Sequence, residues 1–259
     1  MDTIAVNGVN LVYMRRGKGV PLVLVHGFPL DSTSWNEIIP FLEDDFDLIL
    51  PDLRGFGQSA VITSHYTVSD MADDLAGLLN QLGIEKTMVA GHSMGGYVAL
   101  AFAKKYPHRM NGLGLISSQA AADTPERRGG RYKTAADVTR QGVGVVVEAM
   151  TPKLSADMRV QAFVRSVIER QAVDGVIDAL KAMAEREDFM PILSSFSFPL
   201  LLLHGDADVL IPIDRSKEIK TVVPSAKFIE LKGAGHMPMM EFPKQTAAGL
   251  MLLRKEFMA

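Results

Sequence analysis

Gly91-His92-Ser93-Met94-Gly95-Gly96 is the most informative stretch of this 259-residue chain. The apolar run Thr87–Ala90 before it predicts a buried strand, and the periodic pattern of Ser93–Lys105 after it predicts a helix. The turn between them has to lift the serine above the edge of a sheet. Glycines two residues before and two residues after Ser93 suit such a turn, because a Cβ there would collide with neighbouring chain. The stretch therefore predicts a serine nucleophile at a strand–helix junction.

Short apolar runs alternate with helical stretches on both sides of this turn. The Val/Ile/Leu-rich runs are Leu22–His26, Asp47–Pro51, Thr87–Gly91, Leu113–Ser117, Leu200–His204 and Lys227–Leu231. Most are unbroken, which is typical of parallel strands covered by helices on both faces. Thr3–Val6 and Asn10–Arg15 flank Asn7-Gly8, which predicts an antiparallel hairpin at the start of the sheet. The pattern predicts an α/β fold with a mostly parallel eight-stranded sheet.

Helical patterns separate the predicted strands. Tyr66–Leu82 carries an apolar stripe, with Thr67 or Ser69 as its N-cap and Gly83 as a stop signal. Pro243–Phe257 predicts a helix at the end of the chain.

Residues 119–195 differ from the rest, since charge density rises and strand patterns vanish. The pattern predicts helices over Ala156–Glu169 and Asp174–Arg186. It predicts that a helix starts at Thr124-Pro125-Glu126 and that a boundary between elements lies at Thr151-Pro152. We interpret this segment as a helical cap, or lid, inserted after the sixth strand. Residues 1–118 and 196–259 would then form the core domain.

Composition excludes several classes of function. The formal net charge is −3 with no basic stripe, so we expect no nucleic-acid partner. The absence of cysteine excludes disulfides, thiolate metal sites and a cysteine nucleophile. No cluster has metal-ligand spacing, and we predict neither a metal nor a cofactor. No apolar run approaches the length of about 18 residues that a membrane span needs, and Met1–Val6 does not resemble a secretory signal. We expect a cytoplasmic protein, monomeric or homodimeric.

A serine nucleophile needs a base, and the chain has six histidines. His236 lies in Gly233-Ala234-Gly235-His236-Met237-Pro238, just beyond the last predicted strand. Small residues before it and a proline after it suit a loop that places the imidazole ring over the edge of the sheet. We therefore favour His236 as the base. The other histidines are interpreted otherwise: His92 as packing beneath the turn, His26 and His204 as local hydrogen-bond partners at strand ends, and His65 and His108 as loop residues.

The third member of such a site orients the imidazole. Two acids compete for this role in the loop after Leu200–His204. Asp208 comes just before an apolar stretch, which favours a partly buried carboxylate at this position. Asp206 is better placed to accept hydrogen bonds from nearby backbone N–H groups and so stabilise the turn. We favour Asp208 and retain Asp206 as the alternative.

These motifs resemble the α/β-hydrolase superfamily, in particular its serine carboxylesterase-like branch. The resemblance covers nearly the whole chain, because the serine turn, the acid loop and the histidine loop follow in the family's order. In that family the acid follows the strand before last in a G-x-x-D turn, which matches Gly205–Asp208. The histidine follows the last strand, which matches His236.

The resemblance also implies an oxyanion hole made of backbone N–H groups. The residue after the nucleophile supplies one donor, here Met94. The family's H-G-φ pattern in His26-Gly27-Phe28 makes Phe28 the second donor. The Pro51–Ser59 segment resembles a family loop, and we interpret it as structural, with Asp52 and Arg54 satisfying loop backbone and each other.

The resemblance and the serine together favour a carboxylesterase for small to medium acyl esters. Relatives that open epoxides or displace halide use aspartate at this turn, so Ser93 disfavours both reactions. The alternatives are an enol-lactonase, a carbon–carbon bond hydrolase, a perhydrolase or, more distantly, a non-catalytic ligand binder. An aminopeptidase would need an acidic pocket, for which Glu148, Glu169 and Glu185 are the candidates. We expect the methionines around His236 (Met237, Met239 and Met240) to line the pocket, and Arg127–Arg131 to be a solvated helix end rather than an anion site.

Overall fold

Eight strands form a single sheet in the computed structural model, which describes residues 1–62 and 64–258. In chain order they are β1 (Asp2–Val6), β2 (Val9–Gly17), β3 (Val20–Val25), β4 (Phe46–Pro51), β5 (Thr87–His92), β6 (Met110–Ile116), β7 (Leu200–Gly205) and β8 (Lys227–Leu231). Their order in the sheet is β1-β2-β4-β3-β5-β6-β7-β8. The pairings β1–β2 and β2–β4 are antiparallel and the others are parallel. The predicted fold class is confirmed.

The first hairpin forms where the sequence predicts it. Asn7 and Gly8 both have positive φ angles, 48° and 79°. Two such residues make the turn whose twist matches that of the flanking strands, and Asn-Gly tolerates it best. Val6 consequently pairs with Val9 across the turn.

The central strands are buried because helices cover both faces of the sheet. The four residues Leu22–Val25 of β3 are 0% exposed, which explains why the strand is apolar without alternation. The helices outside residues 119–195 are α1 (Val68–Gln81), α2 (Met94–Lys105), α7 (Asp214–Val222), α8 (Pro238–Glu241) and α9 (Pro243–Met258). No apolar pattern in the sequence predicts α7, whose sequence is mostly polar.

Thr67 is the N-cap of α1, which resolves the choice between Thr67 and Ser69. Its side chain accepts a hydrogen bond from the Asp70 N–H at 3.2 Å. The Asp70 carboxylate in turn accepts one from the Thr67 N–H at 2.7 Å. This reciprocal pair is a capping box, and it sets the first turn of the helix.

Four helices lie between β6 and β7: α3 (Pro125–Gln141), α4 (Gly144–Leu154), α5 (Met158–Glu169) and α6 (Val173–Ala184). Thr124 caps α3 and Pro125 occupies its first turn, as predicted. The predicted boundary at Thr151-Pro152 is wrong, because Pro152 lies inside α4. A proline so near the end removes one intrahelical hydrogen bond, and the helix continues for two more residues.

None of the helices in the described ranges combines the length and the apolar character required to cross a membrane.

Candidate active site

Ser93 stands alone between the end of β5 and the start of α2. Its φ and ψ angles are 51° and −114°, a backbone conformation that residues with a side chain rarely adopt. The Ser93 N–H donates to the Ile116 carbonyl at 2.9 Å, and the Ser118 hydroxyl donates to the Ser93 carbonyl at 2.8 Å. Neighbouring β6 and the loop after it therefore hold the strained turn from both sides.

The glycines of the turn are required by close backbone packing. A Cβ on Gly91 would overlap the backbone of Gly95, and a Cβ on Gly95 would overlap the carbonyl of Val25. The first turn of α2 consequently lies directly against the end of β3. This approach brings the loop after β3, which contains Phe28, beside the N-terminus of α2, which begins at Met94.

His236 lies in the loop after β8 and is 1% exposed. Its Nδ1 lies 2.7 Å from Asp208 Oδ2. Because an ionised carboxylate can only accept, the Nδ1–H of His236 is the donor in this hydrogen bond. The His236 N–H donates to the Leu154 carbonyl at 3.0 Å, so the C-terminus of α4 helps to place the loop.

Asp208 is completely buried at its side chain and follows β7. Its Oδ1 accepts hydrogen bonds from the N–H groups of Leu210 (2.8 Å) and Ile211 (3.0 Å). Burial alone would raise the pKa of this carboxyl. The charge on His236 and hydrogen bonds from His204, His236 and the Ile211 N–H outweigh burial and hold the pKa well below its ordinary value. The carboxylate therefore stays ionised beside the imidazole.

Asp206 occupies a different position in the same loop. Its side chain is exposed and accepts a hydrogen bond from the Gly233 N–H at 2.6 Å. This contact ties the loop after β7 to the loop after β8. Asp206 therefore closes the turn, and the structure brings Asp208 alone of the two acids to His236.

His92 packs beneath the turn. Its Nε2 donates to the His236 carbonyl at 2.7 Å, and its ring lies 4.8 Å from the His236 ring between centroids. Complete burial, with the charge of His236 second, lowers the pKa of His92 well below its ordinary value. His92 is therefore a neutral packing residue that supports the histidine loop from below.

His26 and His204 hold loops at the ends of their strands. The Leu53 N–H donates to His26 Nε2 at 3.0 Å, which joins the loop after β3 to the loop after β4. His204 Nε2 lies 2.8 Å from the Ile211 carbonyl and 3.3 Å from Asp208 Oδ2. The second contact was not predicted, since nothing in the strand pattern shows which way the ring points.

Asp52 holds the Pro51–Ser59 loop through backbone N–H groups, as predicted, but it does not pair with Arg54. The Asp52 carboxylate accepts from the Ser32 N–H and the Gln58 N–H, both at 2.9 Å. Arg54 instead forms a two-pronged ion pair with Asp74 of α1, with both distances 2.6 Å. The predicted pairing of Arg54 with Asp52 is wrong, because α1 presents a buried carboxylate to the guanidinium.

A cavity of about 350 Å³ opens above Ser93, His236 and Phe28. The α3–α6 segment supplies most of its remaining wall, with Val146, Ala149, Met150, Leu180 and Met183 as the apolar part. Met237, Met239 and Met240 do not line it; they are buried at 0%, 0% and 4% exposure. The expectation for these methionines is wrong, because the loop leads directly into α8 and turns their side chains into the core.

The charges of the cavity wall also differ from expectation. Within residues 1–62 and 64–258 no acidic side chain lines the cavity, and Glu148 instead pairs with Arg165 at 2.7 Å. The acidic pocket of an aminopeptidase is therefore not formed.

Arg127 and Arg131 line the cavity, with side chains 38% and 14% exposed. The interpretation of this run as a solvated helix end is wrong for both, because Asp123 draws them inward.

Comparison with known proteins agrees with the observed fold. Residues 20–243 match the family model described as alpha/beta hydrolase fold. A thermophilic esterase from Thermogutta terrifontis, in a malate-bound structure, is 39% identical; the alignment covers 98% of this chain and 97% of that one, with a TM-score of 0.93.

Two further relatives are similar over most of their length. Lipase 3 of a Moraxella species is 29% identical over 255 residues, which is 93% of this chain and 80% of the lipase. The enol-lactonase of Burkholderia xenovorans has a TM-score of 0.91 at 23% identity, covering 98% of this chain and all (100%) of that one, and shows the shared fold. From the family match over most of its length and the eight-stranded sheet, the chain belongs to the α/β-hydrolase fold family.

Proposed function

We propose that the protein is a serine carboxylesterase that hydrolyses esters of small to medium carboxylic acids through an acyl-enzyme on Ser93. The observation that carries the proposal is the 2.7 Å hydrogen bond between Asp208 and His236 at a cavity that Ser93 also lines. The similarity to the Thermogutta esterase and the Moraxella lipase supports an ester as the substrate.

The reaction begins with attack of Ser93 Oγ on the ester carbonyl carbon, while His236 Nε2 takes the hydroxyl proton. The tetrahedral intermediate collapses when the bond to the alcohol oxygen breaks, and the imidazolium returns the proton to that oxygen. Water then repeats the sequence on the acyl-enzyme, with His236 again as base. The net change is ester plus water to carboxylic acid plus alcohol.

Asp208 contributes orientation and charge. Its hydrogen bond to Nδ1 keeps the lone pair of His236 on Nε2, which is the tautomer that can accept the serine proton. The ionised carboxylate also stabilises the imidazolium that forms during each step. Since two backbone N–H groups hold the opposite carboxylate oxygen, the group is positioned before substrate arrives.

The oxyanion of the tetrahedral intermediate would be received by the backbone N–H groups of Phe28 and Met94. Met94 begins α2, so its N–H has no intrahelical acceptor. The N-terminal end of a helix also favours negative charge. Each such donor contributes about 2.7–4 kcal/mol to transition-state stabilisation in serine hydrolases.

Residues 119–195 would act as a cap over the core formed by residues 1–118 and 196–259. Helices α3, α4 and α6 of this segment supply much of the cavity wall, so they would shape the acyl site. A cavity of about 350 Å³ lies at the small end of the range for ligand pockets, roughly 300–1,000 Å³. This size favours short and medium acyl chains.

The proposal is tested by hydrolysis of p-nitrophenyl butyrate, followed as release of p-nitrophenolate. We expect turnover by the wild-type protein and a loss of about 10⁴-fold or more in kcat for Ser93→Ala, as for other serine hydrolases that lose their nucleophile. Ser166→Ala changes an exposed serine of α5 and serves as the control. Retention of most activity by Ser93→Ala would reject the role of Ser93. Turnover of γ-butyrolactone or a 1,3-diketone without turnover of any ester would reject the esterase proposal.

A further inference from the structure

The cavity wall above Ser93 is positively charged. Arg127 and Arg131 of α3 and Lys153 of α4 line it, together with neutral residues. Because Arg127 and Arg131 are four residues apart on one helix, they lie on the same face. No acidic side chain of the described ranges faces them across the cavity.

One buried carboxylate, that of Asp123, neutralises only part of this charge. Its side chain is fully buried and lies 2.8 Å from Arg186 Nη1, 3.6 Å from Arg127 Nε and in contact with Arg131 Nε. Burial would raise the pKa of Asp123, but the hydrogen bond and charge of Arg131 and the charge of Arg186 lower it below its ordinary value. Three guanidinium groups thus share one negative charge, which leaves a surplus of two positive charges.

The two arginines on the wall retain donors for a ligand. Arg131 Nη1 lies 3.3 Å from Met183 Sδ, and a thioether is a weak acceptor. Arg127 Nη2 makes a 3.3 Å contact with the Leu210 carbonyl. A guanidinium has five N–H donors, so neither group is saturated by these contacts.

A purely structural role does not account for the arrangement. Arg186, with a side chain 1% exposed, already pairs with Asp123 and also donates to the carbonyls of Met183 and Ala121. Arg127 and Arg131 lie at the same carboxylate, so two further positive charges lie beside that of Arg186. Lys153 places one more positive charge in the same cavity. Such a concentration of charge raises the local concentration of anions.

We propose that this wall is a subsite for a carboxylate, and that the preferred substrates are small esters bearing a second, ionised carboxyl group. The inference rests on the proposed esterase function. The ester carbonyl would lie at Ser93 while Arg127, Arg131 and Lys153 hold the distant carboxylate. The guanidinium groups favour a carboxylate because two parallel N–H groups match its two oxygens.

The test compares two esters of equal acyl length, monoethyl adipate and ethyl hexanoate, by titration of released acid at constant pH 8. We expect kcat/KM for monoethyl adipate to exceed that for ethyl hexanoate by about tenfold, since a charged hydrogen bond commonly contributes this much. The ratio should fall as sodium chloride is raised, because salt screens partly exposed charges.

Substitutions locate the subsite. Arg127→Gln and Lys153→Gln should each lower the ratio of the two kcat/KM values by about threefold to tenfold. Arg128→Gln is the matched control, because Arg128 lies on the exposed face of α3 and does not line the cavity. It should leave both kcat/KM values unchanged. Arg131→Lys is used at the third position because it keeps a positive charge beside the buried Asp123 carboxylate, and it should retain most of the preference.

Binding separates failure of this inference from failure of the esterase proposal. Monoethyl adipate is titrated by calorimetry into Ser93→Ala and into Ser93→Ala with Arg127→Gln, which should bind it more weakly. The subsite is overturned, and the esterase proposal is not, if the protein hydrolyses ethyl hexanoate, hydrolyses monoethyl adipate no faster, and does not bind monoethyl adipate. If neither ester is hydrolysed but binding depends on Arg127, the esterase proposal fails and the carboxylate subsite stands.

Discussion

At the scale of single residues, two aspartates two positions apart have different partners. Asp208 holds the Nδ1 proton of His236, whereas Asp206 holds the Gly233 N–H on the surface. The difference arises because Asp208 lies ahead of Leu210 and Ile211, whose N–H groups hold its carboxylate in the interior. The fold therefore determines the position of this carboxylate, and bound substrate does not.

Substitution of each aspartate by asparagine distinguishes the two roles. Asp208→Asn should reduce kcat on p-nitrophenyl butyrate by about 10³–10⁴-fold, because the amide can donate to Nδ1 and favours the wrong imidazole tautomer. Asp206→Asn is the matched control and should retain most activity, since its amide oxygen can still accept from Gly233. Steady-state kinetics of both variants check the prediction, and equal losses would contradict it.

At the scale of elements, the end of α4 and the short helix α8 hold the histidine loop between them. The Leu154 carbonyl accepts the His236 N–H at 3.0 Å, and the Glu241 carboxylate accepts the Gly235 N–H at 2.7 Å. Ser155, which follows α4, hydrogen-bonds the other oxygen of Glu241. The α3–α6 segment thus contacts the loop that carries His236, in addition to forming much of the cavity wall.

Removal of Glu241 should loosen this loop. We expect Glu241→Ala to lower kcat by about tenfold with a smaller change in KM, because His236 would leave its productive orientation more often. Glu241→Gln keeps an acceptor for Gly235 and should restore most of the activity. Comparing the two variants by kinetics and thermal unfolding separates positioning from stability: an equal loss of activity in both would argue against positioning.

At the scale of the whole molecule, two neutral histidines in the interior link stability to pH. Burial lowers the pKa of both His26 and His92. In acid the unfolded chain therefore binds protons that the folded protein does not. The contribution of the two histidines to the free energy of unfolding is fully present above pH of about 6.5 and is lost as the pH falls below that value. The contribution of Asp208, whose pKa is also lowered, is lost only below pH of about 4, a separate window.

Replacing His92 tests this linkage. Between pH 6.5 and 5 the free energy of unfolding of the wild type should fall, with each histidine contributing a slope of up to about 1.4 kcal/mol per pH unit. His92→Gln should reduce the slope, whatever its effect on stability at pH 7. His108→Gln alters an exposed histidine and serves as the control. Urea unfolding at several pH values measures the slopes, and identical slopes for His92→Gln and wild type would contradict the prediction.

Local pattern was sufficient to predict the strands of the sheet and the loops that bring Asp208 and His236 together. Each predicted strand overlaps an observed one, because unbroken apolar runs and an Asn-Gly turn have few other ways to fold. Asp208 and His236 were predicted from their places in loops after strands, and the structure joins them at 2.7 Å. Parallel strands end at one edge of the sheet, so residues that follow them meet there whatever their separation in the chain.

Tertiary packing alone decided the surroundings of the site. No periodicity in the sequence reveals that Arg54 pairs with Asp74, that Arg131 pairs with Asp123, or that the Gly235 N–H donates to Glu241. Arg127 and Arg131 turn inward to the buried carboxylate of Asp123, which lies just before α3, the helix that packs against α6. The chain by itself determined a sheet edge with a serine, a histidine and an acid, because the apolar runs that form the strands and the turns that follow them are local features of the sequence. The charge and shape of the cavity above them came from the packing of helices, because long side chains on a helix face acquire partners only when that face meets another.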